Sequence, residues 1–178
     1  MKLLDKNNCI VIGIDFQEKL VGMLKDKTCA EKFVKLARAA KKLGIPAILT
    51  EQYPKGLGST IPELNELSFQ TVEKTSFSAF QEDDFKKSIL SSGKIQVIIG
   101  GIETHICVHQ TTAELLEAGF DVYVVKDACG SRNDFEFICG IDRMQNNGAK
   151  ITCLEIVLFE LLRTSRHPDF KEIQALIK

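Results

Sequence analysis

Histidine is scarce in this sequence, with three in 178 residues, at positions 105, 109 and 167. The six cysteines form no CxxC pair, so the ligand framework of a structural zinc site is missing. No apolar run approaches the roughly 20 residues needed to span a bilayer. The opening stretch from Met1 to Asn8 is polar and lacks the apolar core of a secretory signal. An excess of one charge is also absent. A formal net charge of −1 points neither to a nucleic-acid backbone nor to an acidic membrane as partner. No linker, internal repeat or low-complexity tract interrupts the chain. These absences predict one domain over 1–178, in a reducing, cytoplasmic setting, with no nucleic acid and no membrane as partner.

What is present is an ordinary globular composition, 44% hydrophobic and 26% charged, at a length that buries roughly 70% of the unfolded surface. Such a core needs no disulfide staples. Cys9, Cys107 and Cys153 also lie in or beside apolar segments, which argues against a disulfide framework. Short apolar runs alternate with amphipathic stretches. Cys9 to Asp15 is a continuous apolar run ending in an acid, as in a strand buried on both faces. Glu31 to Leu43 gathers Phe33, Leu36, Ala37, Ala40 and Leu43 on one helical face, closed by Gly44 and Pro46. Further strands are expected at 47–50, 70–74, 95–101, 121–126 and 149–153. Helices are expected from a cap at Asp83 or Asp84 to Ser92, and over 107–116, 135–147 and 154–163, with a last one near Pro168. This alternation predicts a Rossmann-like, three-layer α/β/α fold with a mainly parallel six-stranded sheet.

Ligands of such sheets bind beyond the carboxyl ends of the strands. That rule selects Asp15, Phe16 and Gln17 after the first strand, and Glu51, Gln52 and Tyr53 after the second. It also selects Lys74 after the third and the Gly-rich segment 100–111 after the fourth. A thiol at a helix opening near Cys107 would face the positive end of the macrodipole, which favours thiolate. Free N–H groups there would hold an oxyanion, and Asp15 with Lys74 would supply proton transfer and charge balance. On this reading Cys107 is the most reactive of the six thiols. Each residue also has a plainer role open to it: Asp15 as a helix cap, Lys74 as a solvated loop residue, Cys107 as core packing, and His105 and His109 as hydrogen-bonding neighbours.

Several segments together resemble the isochorismatase-like hydrolase superfamily, which includes nicotinamidases and N-carbamoylsarcosine amidase. They are I-D-F-Q at 14–17, L-T-E-Q-Y-P-K-G-L-G at 49–58, E-K-T-S-F-S-A-F at 73–80 and G-G-I-E-T-H-I-C-V at 100–108. D-A-C-G-S-R at 127–132, R-M-Q-N-N-G-A at 143–149 and L-F-E-L-L at 158–162 extend the match over nearly the whole chain. The resemblance implies a catalytic triad of Asp15, Lys74 and Cys107. It also implies a cis peptide between Ile102 and Glu103, and an oxyanion hole from the N–H groups of Glu103 and Cys107. Nicotinamidases hold a metal in the loop after the second strand. Gln52 and Pro54 stand in those places here, and no histidine precedes His105, so no metal and no cofactor is expected. Isochorismatases proper lack the cysteine, and its presence leans toward acyl chemistry on a small-molecule amide, carbamoyl or ester bond. Phe16, Tyr53, Leu57 and Phe77 are expected pocket walls by position. A homo-oligomer, dimer or higher, is implied. The rival readings are a non-catalytic oligomeric interaction module with a vestigial pocket, and a redox sensor using Cys107.

Overall fold

A computed structural model describes residues 2–178. Six strands, β1 (Cys9–Ile14), β2 (Ala47–Gln52), β3 (Gln70–Lys74), β4 (Gln96–Ile102), β5 (Asp121–Gly130) and β6 (Lys150–Thr152), form one sheet in the order β3-β2-β1-β4-β5-β6. Every pairing is parallel. The order reverses between β1 and β4, so a crevice opens at their carboxyl ends.

The period of two along the buried strands feeds two separate cores. In β1, Cys9 and Val11 face one core while Ile10, Ile12 and Ile14 face the other. The first core is closed by α1 (Glu18–Met23), α2 (Thr28–Leu43), α4 (Pro62–Asn65), α8 (Leu154–Leu162) and α9 (Phe170–Ala175). The second is closed by α5 (Asp83–Ser91), α6 (His109–Glu117) and α7 (Asp134–Asn146). The sheet is therefore covered on both faces. Gly13 admits Phe33 of α2 against β1: a Cβ there would lie 2.6 Å from the Phe33 ring and from Leu49.

Several boundaries differ from the sequence reading. Helix α2 begins three residues earlier than expected because Asp26 accepts the N–H and hydroxyl of Thr28 at 2.8 and 2.5 Å. Strand β5 runs on to Gly130, past an irregularity in its pairing with β4. The expected caps Asp83 and Asp84 lie inside the first turn of α5, behind Glu82. Short helices, α1, α3 (Pro54–Leu57) and α4, fold within stretches where no helix was expected. Strand β2 runs two residues further than expected, so Glu51 and Gln52 are its last residues rather than the start of the loop.

Candidate active site

Asp15 follows β1, Lys74 ends β3, and Cys107 lies in the turn after β4. The fold brings all three together at the reversal of strand order. Asp15 takes a left-handed backbone, φ 54, a region that aspartate tolerates better than most residues. Its side chain and that of Lys74 are fully buried, and Lys74 Nζ lies 2.8 Å from Asp15 Oδ2. The Thr50 hydroxyl donates to Asp15 Oδ1 at 2.6 Å, whereas Oδ2 accepts no aligned hydrogen bond.

Lys74 is held on every side. Its ammonium donates to Gln52 Oε1 at 2.6 Å, to the Phe77 carbonyl at 3.2 Å and to the Ser76 carbonyl at 3.3 Å. Glu82 secures the turn that supplies those carbonyls by accepting the N–H groups of Thr75 and Ser76, each at 3.0 Å. Those bonds, Ser76's first, hold the Glu82 carboxyl below its ordinary range. Ser78 and Gln81 bind Glu114 of α6, and Thr111 Oγ1 accepts the Ala79 N–H at 3.0 Å. The Lys74 loop is thus tied to the helix that continues the Cys107 turn.

Cys107 does not open a regular α-helix. Residues Thr104–Val108 form a wide π-helical turn before α6, a local expansion often found at functional sites. The thiol is only 6% exposed, and burial, then the Asp15 charge, push it up to about 12, with Lys74 acting the other way. The expectation of a thiolate favoured by a helix dipole is therefore corrected. Desolvation works against the dipole here and holds the thiol toward its protonated form. Cys107 Sγ lies 4.0 Å from Gln52 Oε1, and the Asp15 and Lys74 side chains also bear on it directly. The peptide bond between Ile102 and Glu103 is cis. The Glu103 side chain is paired with Arg132 at 2.8 Å.

The four expected wall residues separate. Phe16 is 1% exposed and stacks on Phe33 at 4.4 Å between centroids; it belongs to the core, because its side chain turns to the face opposite Cys107. Leu57 is partly buried against the same core. Tyr53 and Phe77 stand exposed, at 55% and 54%. Tyr53 lines a cavity of about 280 Å³ with Lys74, Thr75 and Glu82, and its ring lies over Gly56, where a Cβ would approach to 2.5 Å. Sequence reasoning missed Gln17 as a latch. Its buried amide binds the Gln52 and Gly58 carbonyls and the Gln52 N–H, at 3.0, 2.6 and 2.7 Å. The signals were its place just past the first strand and in the I-D-F-Q segment, neither of which names its partners. His105 binds Ser131 at 3.0 Å, a neighbour role. Among the described residues, no three of His, Cys, Asp and Glu converge as a metal would require.

A family model described as the isochorismatase domain matches residues 9–156. The chain belongs to the isochorismatase family. Isochorismatase domain-containing protein 2 of Xenopus laevis is 41% identical over 143 residues, 80% of this chain and 70% of that protein. The solved MAR1 ribonuclease of Caenorhabditis elegans is 37% identical with a TM-score of 0.93, covering 99% of this chain and 92% of that one. YcaC of Escherichia coli, described as an octameric hydrolase of unknown specificity, is 30% identical with a TM-score of 0.90, over 98% and 96%. The family fold is a hydrolase fold, and this isochorismatase-family chain has all three of its layers.

Proposed function

We propose that the chain is a cysteine hydrolase that cleaves an amide, carbamoyl or ester bond of a small molecule through a thioester on Cys107. The observation that carries the reading is the fully buried Asp15–Lys74 pair at 2.8 Å beside a buried thiol whose environment responds to both charges. A pair this costly to desolvate is an expensive way to fill a core and a suitable way to hold a proton acceptor. Burial holds the thiol toward its protonated form, so a proton acceptor beside it has a task in the attack.

Asp15 takes the proton from Cys107 Sγ as the sulfur bonds to the carbonyl carbon, and the carbonyl electrons move onto oxygen. The N–H groups of Glu103 and Cys107 receive that oxyanion. The C–N or C–O bond then breaks, and the amine or alcohol leaves with the proton from Asp15. Water, losing a proton to Asp15, attacks the thioester; the sulfur departs and takes that proton back. Lys74 balances the charge of Asp15 throughout. Tyr53, which lines the cavity at Lys74, and Phe77, whose carbonyl binds the Lys74 ammonium, are the proposed walls.

A homo-oligomer in the cytoplasm is part of the proposal. It is supported by the octameric E. coli relative and by the exposed Ile156 and Phe159 on α8. Light scattering on the purified chain checks it, and a monomer at micromolar concentration would remove it. The hydrolase reading is tested on a panel of small amides, carbamoyl compounds and esters, with Cys107→Ala as control. Turnover is expected to survive prolonged chelation, because Gln52 and Pro54 stand where a metal would need ligands. RNA cleavage that persists in Cys107→Ala, without turnover of any panel member, would favour a ribonuclease like the C. elegans relative. No turnover of either kind would favour the interaction module.

A further inference from the structure

Gln52 is the polar side chain that the hydrolytic steps leave without a task, yet it stands at their centre. Its Oε1 accepts a Lys74 N–H at 2.6 Å and lies 4.0 Å from Cys107 Sγ. Its Nε2 donates to the Thr75 carbonyl at 2.9 Å, and its backbone N–H and carbonyl are both held by the buried Gln17. Such fixing from three directions exceeds what a space-filling residue at a strand end requires. The charged groups that face the thiol are Asp15, from the end of β1, and Lys74, from the end of β3.

We infer that Gln52 is a positioning residue that joins the Lys74 ammonium to the Cys107 thiol through one neutral oxygen and so keeps the buried cluster at zero net charge. The inference rests on the cysteine-hydrolase reading. An ammonium has three N–H groups, and four oxygens surround this one: Asp15 Oδ2, Gln52 Oε1 and the carbonyls of Ser76 and Phe77. A neutral oxygen at position 52 takes one N–H without competing as a charge with Asp15. It also stands as a second, neutral acceptor for the thiol alongside Asp15. A carboxylate at the same position would divide the ammonium between two anions and set a negative charge beside the sulfur. Both effects oppose thiolate formation.

The test is the rate of Cys107 alkylation by iodoacetamide, read by peptide mapping from about pH 7 to about pH 9, with Cys107→Ala as blank. It needs no substrate. Gln52→Glu is expected to slow alkylation at least about tenfold at every pH. Gln52→Met removes the oxygen but leaves three acceptors for the three N–H groups, and is expected to alkylate within about threefold of the parent, or faster. Cys9, fully buried in the other core, reports unfolding in the same digest, because its labelling rises only when the core opens. Equal slowing in both variants with Cys9 protected would reduce Gln52 to a structural role and overturn the inference. So would an unchanged rate in Gln52→Glu. Should the panel show no turnover while the alkylation order holds, the hydrolase reading fails and the charge role of Gln52 stands.

Discussion

Two buried thiols in this protein share a raised titration and a glutamine neighbour but differ in the charged groups around them. Cys9 opens β1 and Cys107 follows β4, at opposite ends of adjacent strands. Burial pushes both to about 12, and each has a glutamine oxygen as a polar neighbour. Cys9 donates to Gln96 Oε1 at 3.5 Å, and Cys107 lies 4.0 Å from Gln52 Oε1. Gln96 is tied to the N-terminal arm, accepting the Asp5 N–H and donating to the Leu3 carbonyl and the Tyr123 hydroxyl. Gln52 is tied to the Lys74 ammonium, and through it to the buried Asp15. Cys9 also feels Asp5, Lys94 and Arg163. What sets Cys107 apart is a fully buried Asp15–Lys74 pair whose side chains act on the sulfur directly.

The largest effect that would sharpen this contrast is on turnover. Cys107→Ala is expected to lower hydrolysis at least about 10⁴-fold, whereas Cys9→Ala keeps it within about twofold and costs about 1 kcal/mol of stability. Initial rates and thermal unfolding on both variants check this, and equal activity losses would erase the distinction. Lys74→Met comes next. Hydrolysis is expected to fall at least about 10²-fold, and alkylation of Cys107 to slow, because Lys74 is the charge that pulls that thiol down. Leaving Asp15 buried without its partner also costs about 3–5 kcal/mol, so a lowered melting temperature accompanies the loss. A stable Lys74→Met variant with full turnover would reduce the triad to a pair.

A smaller effect concerns labelling order. Cys139 is exposed while Cys9, Cys29, Cys107 and Cys129 are buried, so Cys139 is expected to react first with iodoacetamide, which replaces the sequence-based ranking that put Cys107 first. Labelling of Cys107 then rises about tenfold per pH unit as pH approaches its raised value of about 12. A rate for Cys107 that is flat above neutrality would show a preformed thiolate and reverse the reading of its environment. Smallest of all is Gln96→Leu, expected to cost about 1–3 kcal/mol by stranding the polar groups of the N-terminal arm, with turnover unchanged.

The three layers and the parallel sheet were legible because buried strands carry unbroken apolar runs and the helices repeat their apolar positions every three to four residues. The positions of Asp15, Lys74 and Cys107 at strand ends were legible for the same reason, with the family motifs narrowing the choice. The wall assignment of Phe16 was not, since which face a residue takes just past a strand depends on the left-handed turn at Asp15. Gln17 and Gln52 were equally opaque: a glutamine's partners lie 35 and 22 positions away along the chain, where no local pattern reaches.

The sequence by itself determined the six strands, the main helices between them and the residue types available at the sheet's carboxyl edge, because these follow from local periodicity. Only the tertiary structure decided the state of the chemistry. It placed Lys74 against Asp15 across β2, brought Gln52 to the same ammonium and sulfur, and widened the turn at Cys107, where the thiol is buried. Whether a thiol is ionised depends on the balance of desolvation and neighbouring charge at one point in space, and that balance is fixed by groups that meet only when the chain has folded.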